Sequence, residues 1–265
     1  MRLKPKKSLG QNFLADKNIR NKIISACDFK DTDTVIEIGA GRGELTSLIA
    51  PRVKLAYALE IDPRLGPCLE EISEKNANLR IIGEDALKAD LTGILSKVRG
   101  KIKVVGNIPY CISTPIIEKL IGVREKVGGA FITVQKEFAQ RIASLPGSKD
   151  YGALSCFVQY YTEPKILFFI SRGCFWPVPK VDSAFLKLRF REKPAVYVGD
   201  PELLFKVIRA SFNQRRKTLR SSLKKVIAAQ KLEAFLRYYR IRSDIRPEQL
   251  SLQDFASLIN YLKKD

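Results

Sequence analysis

Histidine is absent from the 265 residues. No imidazole is available as a general base, no serine or cysteine can be activated by one, and zinc sites built on histidine are excluded. Cysteine is scarce and scattered: Cys27, Cys68, Cys111, Cys156 and Cys174 form no Cys-x-x-Cys pair. An odd number so spaced reads as buried or incidental thiols, not as a disulfide framework. No apolar run approaches the roughly 18–20 residues needed to cross a bilayer. The basic start, Met1 to Lys7, is followed by Gly10-Gln11-Asn12 and Asp16-Lys17 rather than by an apolar segment. The sequence is therefore expected to carry no signal peptide and to work in the cytoplasm, without a membrane partner. Acidic residues are also short, 28 Asp and Glu against 47 Lys and Arg, for a net charge of +19. Lysine-rich surfaces of the thermophile kind balance lysine with glutamate. An excess of this size points to a polyanionic partner, and to nucleic acid over a membrane because no basic amphipathic anchor stands out.

What is present is ordinary globular material, 45% hydrophobic, enough for one large domain and a smaller one. Val35–Ile38, Leu55–Leu59, Leu79–Ile82, Ile102–Val105 and Ala130–Val134 read as five short strands. Glu44 to Val53, Pro63 to Asn76 and Thr114 to Gly122, between them, suit helices. This alternation predicts an α/β fold with a doubly wound, mostly parallel sheet. Ile166–Ile170 and Ala184–Phe190 can close the sheet with an antiparallel pair at its edge. From about Pro201 the pattern turns helical, over Leu203 to Ala229 and Lys231 to Tyr239, after a linker at Arg191 to Asp200. The expected division is a domain of residues 1–195 and a small helical domain of 196–265.

The first strand runs into Glu37-Ile38-Gly39-Ala40-Gly41-Arg42-Gly43. Glycines at a strand-to-helix turn let the backbone pass close to a ligand, although tight packing explains many such turns. Glu44 stands where a dinucleotide fingerprint would have its third glycine. A turn flanked by Glu37 and Glu44 suits the zwitterionic amino acid and sulfonium of S-adenosylmethionine better than a pyrophosphate. Glu60, 21 residues after Gly39, is placed to hold two ribose hydroxyls. Asp85, after the third strand, is placed to accept a hydrogen bond from the cofactor's adenine amine. Each acid alone reads as a solvated loop residue. Three sites at the carboxyl ends of successive strands, where open α/β sheets bind ligands, read together as a cofactor site.

The fourth strand ends in Gly106-Asn107-Ile108-Pro109-Tyr110. A strand stopped by proline, with a core tyrosine, is the plain alternative. Asn-Ile-Pro-Tyr is nevertheless similar to the Asn/Asp-Pro-Pro-Tyr motifs of amino-methylating enzymes, and its physical logic follows. An adenine amine is a poor nucleophile because its lone pair is conjugated into the ring. Acceptors from the Asn107 side chain and the Ile108 carbonyl would hold its two N–H bonds and aim the lone pair at a methyl group. Pro109 fixes the turn without a competing donor. Tyr110 offers a π-face for an extracted base. Positioning can supply most of the acceleration without a general base, consistent with the missing histidine.

Further stretches carry a resemblance over essentially the whole chain. They are Leu9-Gly10-Gln11-Asn12-Phe13-Leu14, Ile112-Ser113-Thr114-Pro115, Gln135-Lys136-Glu137 and the run from Phe175 through Pro177, Pro179, Lys180, Val181, Asp182 and Ser183 to Ala184. The sequence resembles the KsgA family of small-subunit rRNA adenine dimethyltransferases, relatives of the Erm enzymes and of mitochondrial transcription factor B. That resemblance implies a Rossmann-like class I methyltransferase domain, S-adenosylmethionine as cofactor with S-adenosylhomocysteine as product, and no metal. It implies cofactor contacts at Asn12, Leu14, Gly39, Glu60, Asp85 and Asn107, with Gln11, Gly41, Ile61 and Ala86 beside them. Asn107, Ile108, Pro109 and Tyr110 become the reacting centre, with Phe175 facing Tyr110 across a flipped adenine. Read from the residues alone, Phe175 and Trp176 are equally core aromatics packed under prolines. Ile108 stands where the family commonly has leucine, a departure tolerated because its backbone does the work. Cys111 beside the motif is taken as incidental.

Between Leu203 and Leu232 there is no acidic residue, while Lys206, Arg209, Arg215, Arg216, Lys217, Arg220, Lys224, Lys225 and Lys231 accumulate. A solvated basic face is the usual reading of such a run. Nine cations without a counter-charge exceed it, and cations on a helix position nucleic acid through its phosphates. Phe212 to Leu219 closely resembles the KsgA signature and sits less well with Erm. The expected RNA contacts are Lys4, Lys6, Lys7, Arg215, Arg216, Lys217, Arg220 and Lys224. The implied activity is dimethylation of the N6 amine of two adjacent adenosines in a hairpin loop near the 3′ end of small-subunit (16S) rRNA. The implied partner is the immature small ribosomal subunit, met by a monomer. An Erm-like enzyme acting on large-subunit rRNA, and a non-catalytic nucleic-acid-binding relative of transcription factor B, are the alternatives.

Overall fold

A computed structural model describes residues 4–96, 98–214 and 217–263. In chain order its first half runs β1 (Phe13–Leu14), α1 (Lys17–Cys27), β2 (Thr34–Ile38), α2 (Thr46–Ile49), β3 (Leu55–Leu59), α3 (Gly66–Glu74), β4 (Leu79–Ile82), α4 (Leu91–Ser96) and β5 (Ile102–Asn107). Next come α5 (Ser113–Gly122), β6 (Val127–Gln135), α6 (Lys136–Ala143), α7 (Ala153–Tyr161), β7 (Thr162–Ile170), β8 (Phe175–Trp176) and β9 (Ser183–Phe190). The remainder is helical: α8 (Pro201–Phe212), α9 (Leu219–Leu223), α10 (Ala229–Tyr238) and α11 (Leu252–Leu262).

Seven strands form one sheet in the order β4-β3-β2-β5-β6-β9-β7. The pairs among β2 to β6 are parallel, whereas β9 runs antiparallel to β6, from Gly129↔Arg189 to Gln135↔Ser183. β2 is buried along its whole length, as a parallel strand covered on both faces must be. Val35, Ile36 and Ile38 are at most 2% exposed; each such burial stabilises by about 1.5–3 kcal/mol. From β2 the chain steps outward to β3 and β4, then returns to the other side at β5. Strand order thus reverses between β2 and β5, and a crevice opens beyond their carboxyl ends. β1 and β8 pair separately as a two-stranded ribbon, Phe13 opposite Trp176 and Leu14 opposite Phe175.

The chain divides into two units, one of Met1–Ala139 and Glu163–Glu192, the other of Gln140–Thr162 and Lys193–Asp265. A single cut near residue 195 misses the assignment of 140–162, and packing explains why. Tyr151, Cys156 and Tyr160 are buried in the same cluster as Leu204, Val207 and Phe255. Phe157, Tyr160 and Tyr161 all pack rings on Phe205, and the Ala195 N–H donates to the Tyr160 carbonyl at 2.9 Å. The helix expected over 203–229 is also interrupted. α8 ends at Phe212, and Thr218 is extended with its Oγ1 accepting from the Ser221 N–H at 3.3 Å, so α9 starts afresh. The Leu219 N–H is meanwhile committed to the Ile245 carbonyl at 2.8 Å. Among the described residues no helix is long and apolar enough to cross a membrane.

Candidate active site

The turn after β2 carries Gly39 at φ 75° and Gly41 at φ 61°, a left-handed conformation that a side chain disfavours. The N–H groups of Gly39 and Ala40 both donate to the Leu59 carbonyl, at 2.9 and 3.0 Å, folding the turn over the end of β3. Glu60 follows and is held at both oxygens. The Gly41 N–H donates to Oε2 at 2.8 Å and the Asp62 N–H to Oε1 at 2.9 Å. The residue is 9% exposed, and burial raises the pKa of its carboxyl. Each oxygen retains a further lone pair for another donor.

Asp62 is the hinge of a second network. Arg64 holds it with two side-chain bonds, Nε to Oδ1 at 2.9 Å and Nη2 to Oδ2 at 2.6 Å, which keep the carboxyl well below the usual carboxylate range. Gln11 reaches in from the N-terminal segment, its Nε2 donating to Oδ2 at 3.0 Å. One residue on, the Asn12 carbonyl accepts from Asn107 Nδ2 at 2.8 Å. The N-terminal segment is therefore pinned both to the β3 loop and to the end of β5.

Gly106 explains how β5 delivers Asn107. A Cβ there would lie 2.6 Å from the Ile38 carbonyl oxygen, so only glycine lets the two backbones pass at this spacing. One N–H of the Asn107 amide is given to Asn12, which fixes the amide, and its Oδ1 is the acceptor left for a donor in the crevice. Ile108 is buried, and the Ile112 N–H closes a turn on the Pro109 carbonyl at 3.1 Å. Tyr110 shares a hydrogen bond of 2.7 Å with Ser183 Oγ, which sets the plane of its ring; burial raises the phenol's pKa, so it stays neutral.

Part of this set lines one cleft with about 720 Å³ of empty space, open solvent included. It brings together Gln11, Asn12, Gly39, Gly41, Glu60, Ile61, Asp85, Ala86 and Asn107 to Tyr110. Asp85 has Oδ1 tied to the Leu87 N–H at 2.9 Å, and Oδ2 has no protein donor among the described residues.

Comparison with known proteins fits this geometry. The sequence pattern of ribosomal RNA adenine dimethylases matches residues 2–264. The chain belongs to the ribosomal RNA adenine dimethylase family. A ribosomal RNA small subunit methyltransferase A from Geobacillus sp. (strain WCH70) is 43% identical over 97% of this chain and 91% of its own length. One from Bacillus pumilus (strain SAFR-032) is 44% identical over 98% and 91%. Among solved structures, a dimethyladenosine transferase from Plasmodium falciparum matches with a TM-score of 0.81, 28% identity, and coverage of 95% of this chain and 98% of that one. The 23S rRNA methyltransferase ErmE matches with a TM-score of 0.74, 26% identity, and coverage of 95% and 100%.

As a family member the chain is an S-adenosylmethionine-dependent methyltransferase, and the cleft fits that cofactor. Glu60 offers two acceptor oxygens on a buried carboxylate, Asp85 offers one more, and the backbone at Gly39 approaches without side-chain obstruction. Among the described residues no cluster of three or more Cys, Asp or Glu side chains could hold a metal ion.

Several residues expected at the site of the dimethylase lie elsewhere. Phe175 does not line the cleft; it is 2% exposed, sits in β8 opposite Leu14, and packs in the core cluster of the first unit. The core reading of that aromatic wins because the β1–β8 ribbon turns it inward. Leu14 is 3% exposed in the same cluster and is likewise absent from the cleft lining. Glu37 and Glu44 do not line the cleft either. Glu37 is buried, accepting from Thr46 Oγ1 at 2.5 Å, and its carboxyl is pushed up to about 8. Lys4, Lys6, Lys7, Lys217 and Lys224 are exposed. Arg220 is not without a counter-charge, since Glu233 pairs with it at 2.6 Å. Arg215 and Arg216 lie outside the described residues.

Sequence reasoning missed Asp62, Ser183 and Arg42. Asp62 is visible in sequence only as one acid after Glu60-Ile61. Ser183 lies inside the Phe175 to Ala184 stretch that carried the resemblance, but as the partner of Tyr110 rather than as an aromatic wall. Arg42 lies over the Phe13 ring at 4.3 Å and the Trp176 ring at 5.0 Å, tying the glycine turn to the β1–β8 ribbon.

Proposed function

We propose that this chain dimethylates the N6 amine of two adjacent adenosines in a hairpin loop near the 3′ end of small-subunit (16S) rRNA. It would act as a cytoplasmic monomer on the immature small subunit. The observation that carries the catalytic part is the fixed amide of Asn107, one N–H of which is held by Asn12 while its acceptor oxygen is left for the base. The 43–44% identity to small-subunit enzymes over nearly the full chain, against 26% to the 23S enzyme, supports the choice of substrate.

Bound S-adenosylmethionine supplies an electrophilic methyl group on a sulfonium. Glu60 would hold the ribose hydroxyls and Asp85 the adenine amine, and the N-terminal segment from Gln11 to Asn12 would cover the cofactor. In the first transfer Asn107 Oδ1 and the Ile108 carbonyl would each accept one N–H of the target amine. With both N–H bonds held, the nitrogen would pyramidalise and present its lone pair for methylation. Tyr110, oriented by Ser183, stacks on the base. Alignment of this kind contributes by removing orientational freedom before the reaction, and the proton departs to water after transfer. Lys4, Lys6, Lys7, Lys217, Lys224 and the pair Arg215 and Arg216 would contact phosphates, with residues 196–265 as the main RNA-binding part.

The test is incubation with methyl-labelled cofactor and, in parallel, immature small subunits or large-subunit rRNA, followed by digestion to nucleosides. Dimethyladenosine from the small-subunit substrate is expected. Label confined to large-subunit RNA overturns the substrate assignment.

A further inference from the structure

The C-terminal end of α10 carries an aromatic surface that the methyl-transfer cleft does not use. Tyr238 is 69% exposed and Tyr239 43%. Their rings lie 5.0 Å apart, and both meet Tyr261 of α11, at 5.7 and 6.4 Å. Beneath them the buried Phe235 packs on Tyr239 at 4.7 Å and on Tyr261 at 5.7 Å. The exposed rings are therefore held in place by neighbours before anything binds, and little side-chain freedom remains to be lost on binding.

The charge beside these rings is of one sign. Arg237 and Arg240 are exposed and face no carboxylate partner among the described residues, while the nearby acids are engaged, Glu233 by Arg220 and Asp244 by Arg242. Backbone conformation adds an independent observation. α10 ends in a Schellman turn: the Arg240 N–H donates to the Arg237 carbonyl at 3.1 Å and the Ile241 N–H to the Leu236 carbonyl at 2.8 Å. The left-handed residue of that turn is Arg240, at φ 53°, where glycine is the unstrained choice. Asp28, also at positive φ, belongs to a residue type that tolerates this region; arginine does not share that preference. A cation at a helix C-terminus complements the macrodipole, but Arg237 in the last turn already does so. Strain kept at an exposed position points to a use for the side chain.

We infer that Tyr238 and Tyr239, braced by Tyr261 and flanked by Arg237 and Arg240, form a stacking platform for unpaired bases of the RNA substrate. Rings for base faces and unpaired guanidinium groups for the adjoining phosphates are what single-stranded RNA requires, and duplex RNA offers no exposed base faces. This rests on the reading above that the substrate is RNA.

The experiment uses the full chain with two labelled probes, an unstructured adenosine-rich RNA of about ten nucleotides and a fully paired RNA of equal length. Tyr238→Ala with Tyr239→Ala should weaken the single strand about tenfold, as loss of base stacking does. Duplex affinity should stay within about twofold, and kcat at saturating substrate RNA should not change. Tyr238→Phe should restore the affinity. Arg240→Gly should weaken the single strand by a few-fold while raising Tm by about 2–4 °C, because the strain is relieved. Equal losses for both probes, or no loss for either, overturn the platform. If the unaltered protein transfers no methyl group to any RNA, the substrate reading falls and the platform with it. Normal transfer with undiminished single-strand binding by the tyrosine variant removes the platform alone.

Discussion

The cleft and the basic stretch of the helical unit hold their polar groups in opposite ways. In the cleft Gln11 is fixed on Asp62, Asn107 on Asn12, Tyr110 on Ser183, and Glu60 on two backbone N–H groups. Along 203–232, Lys206, Lys217, Lys224 and Lys225 are exposed and have no carboxylate partner among the described residues. A fixed group contributes by geometry, so its removal is felt in the rate of a single step. A mobile cation contributes by charge, so its removal is felt in affinity, is screened by salt, and is shared with its neighbours.

The sharpest way to break this contrast is Asn107→Ala. It removes the amide oxygen proposed to accept from the base and frees the N-terminal segment from β5. We expect kcat to fall by roughly 100- to 1,000-fold, the range for loss of a single positioned polar group, with RNA affinity nearly unchanged. Single-turnover methyl transfer beside a binding titration checks it; a loss under tenfold would move the reacting centre elsewhere. Gln11→Ala cuts the tie to Asp62 and the bond that Gln11 Oε1 accepts from the Lys6 N–H within the N-terminal segment. It should raise the KM for S-adenosylmethionine by about tenfold and leave kcat within a few-fold, because it loosens the cover without touching the acceptor.

The parts of this site legible in the sequence were those fixed by position along a strand. Gly39, Glu60, Asp85 and Asn107 stand at or just past the ends of β2, β3, β4 and β5, and parallel strands deliver their ends to one crevice whatever the details of packing. Side-chain direction was not legible. Phe175 and Ser183 lie in one motif, yet the ribbon pairing of β8 with β1 buries the first, and the start of β9 brings the second to Tyr110. Glu37 is similar: its place in the glycine turn suggested a ligand contact, but a fully covered strand turns it inward onto Thr46. The break in 203–229 was hidden because Leu219 bonds to Ile245, a partner far along the chain that no local pattern announces.

Glu37 makes a smaller prediction that concerns stability alone. The folded protein retains a proton on this carboxyl up to about pH 8, whereas the unfolded chain releases it near the ordinary value of 4.5. A native state that binds more protons than the unfolded state loses stability as pH rises. The contribution is complete below about 4.5 and is lost as pH climbs through about 8. Glu37→Gln should remove much of that decline, seen as a smaller drop in Tm between pH 5 and pH 8.5. Glu60, raised in the same direction, keeps part of it in place. An unaltered decline in the variant would assign the effect to another group.

The weakest effects should come from the basic stretch, and there the contrast between fixed and mobile groups can be tested inside one segment. Each phosphate contact contributes just under one to the slope of log affinity against log salt. Lys217→Gln and Lys224→Gln should each weaken RNA binding by a few-fold, lower that slope by about one, and leave kcat at saturating RNA unchanged. Arg220 lies in the same run, but Glu233 already neutralises it at 2.6 Å, so a phosphate gains little from it. Arg220→Gln should therefore leave the slope almost where it was. Glu233→Gln should do what removal of a cation cannot: release Arg220 to the RNA and raise the slope by about one. If Arg220→Gln instead costs as much as Lys224→Gln, the ion pair opens on binding, and Arg220 belongs with the mobile cations after all.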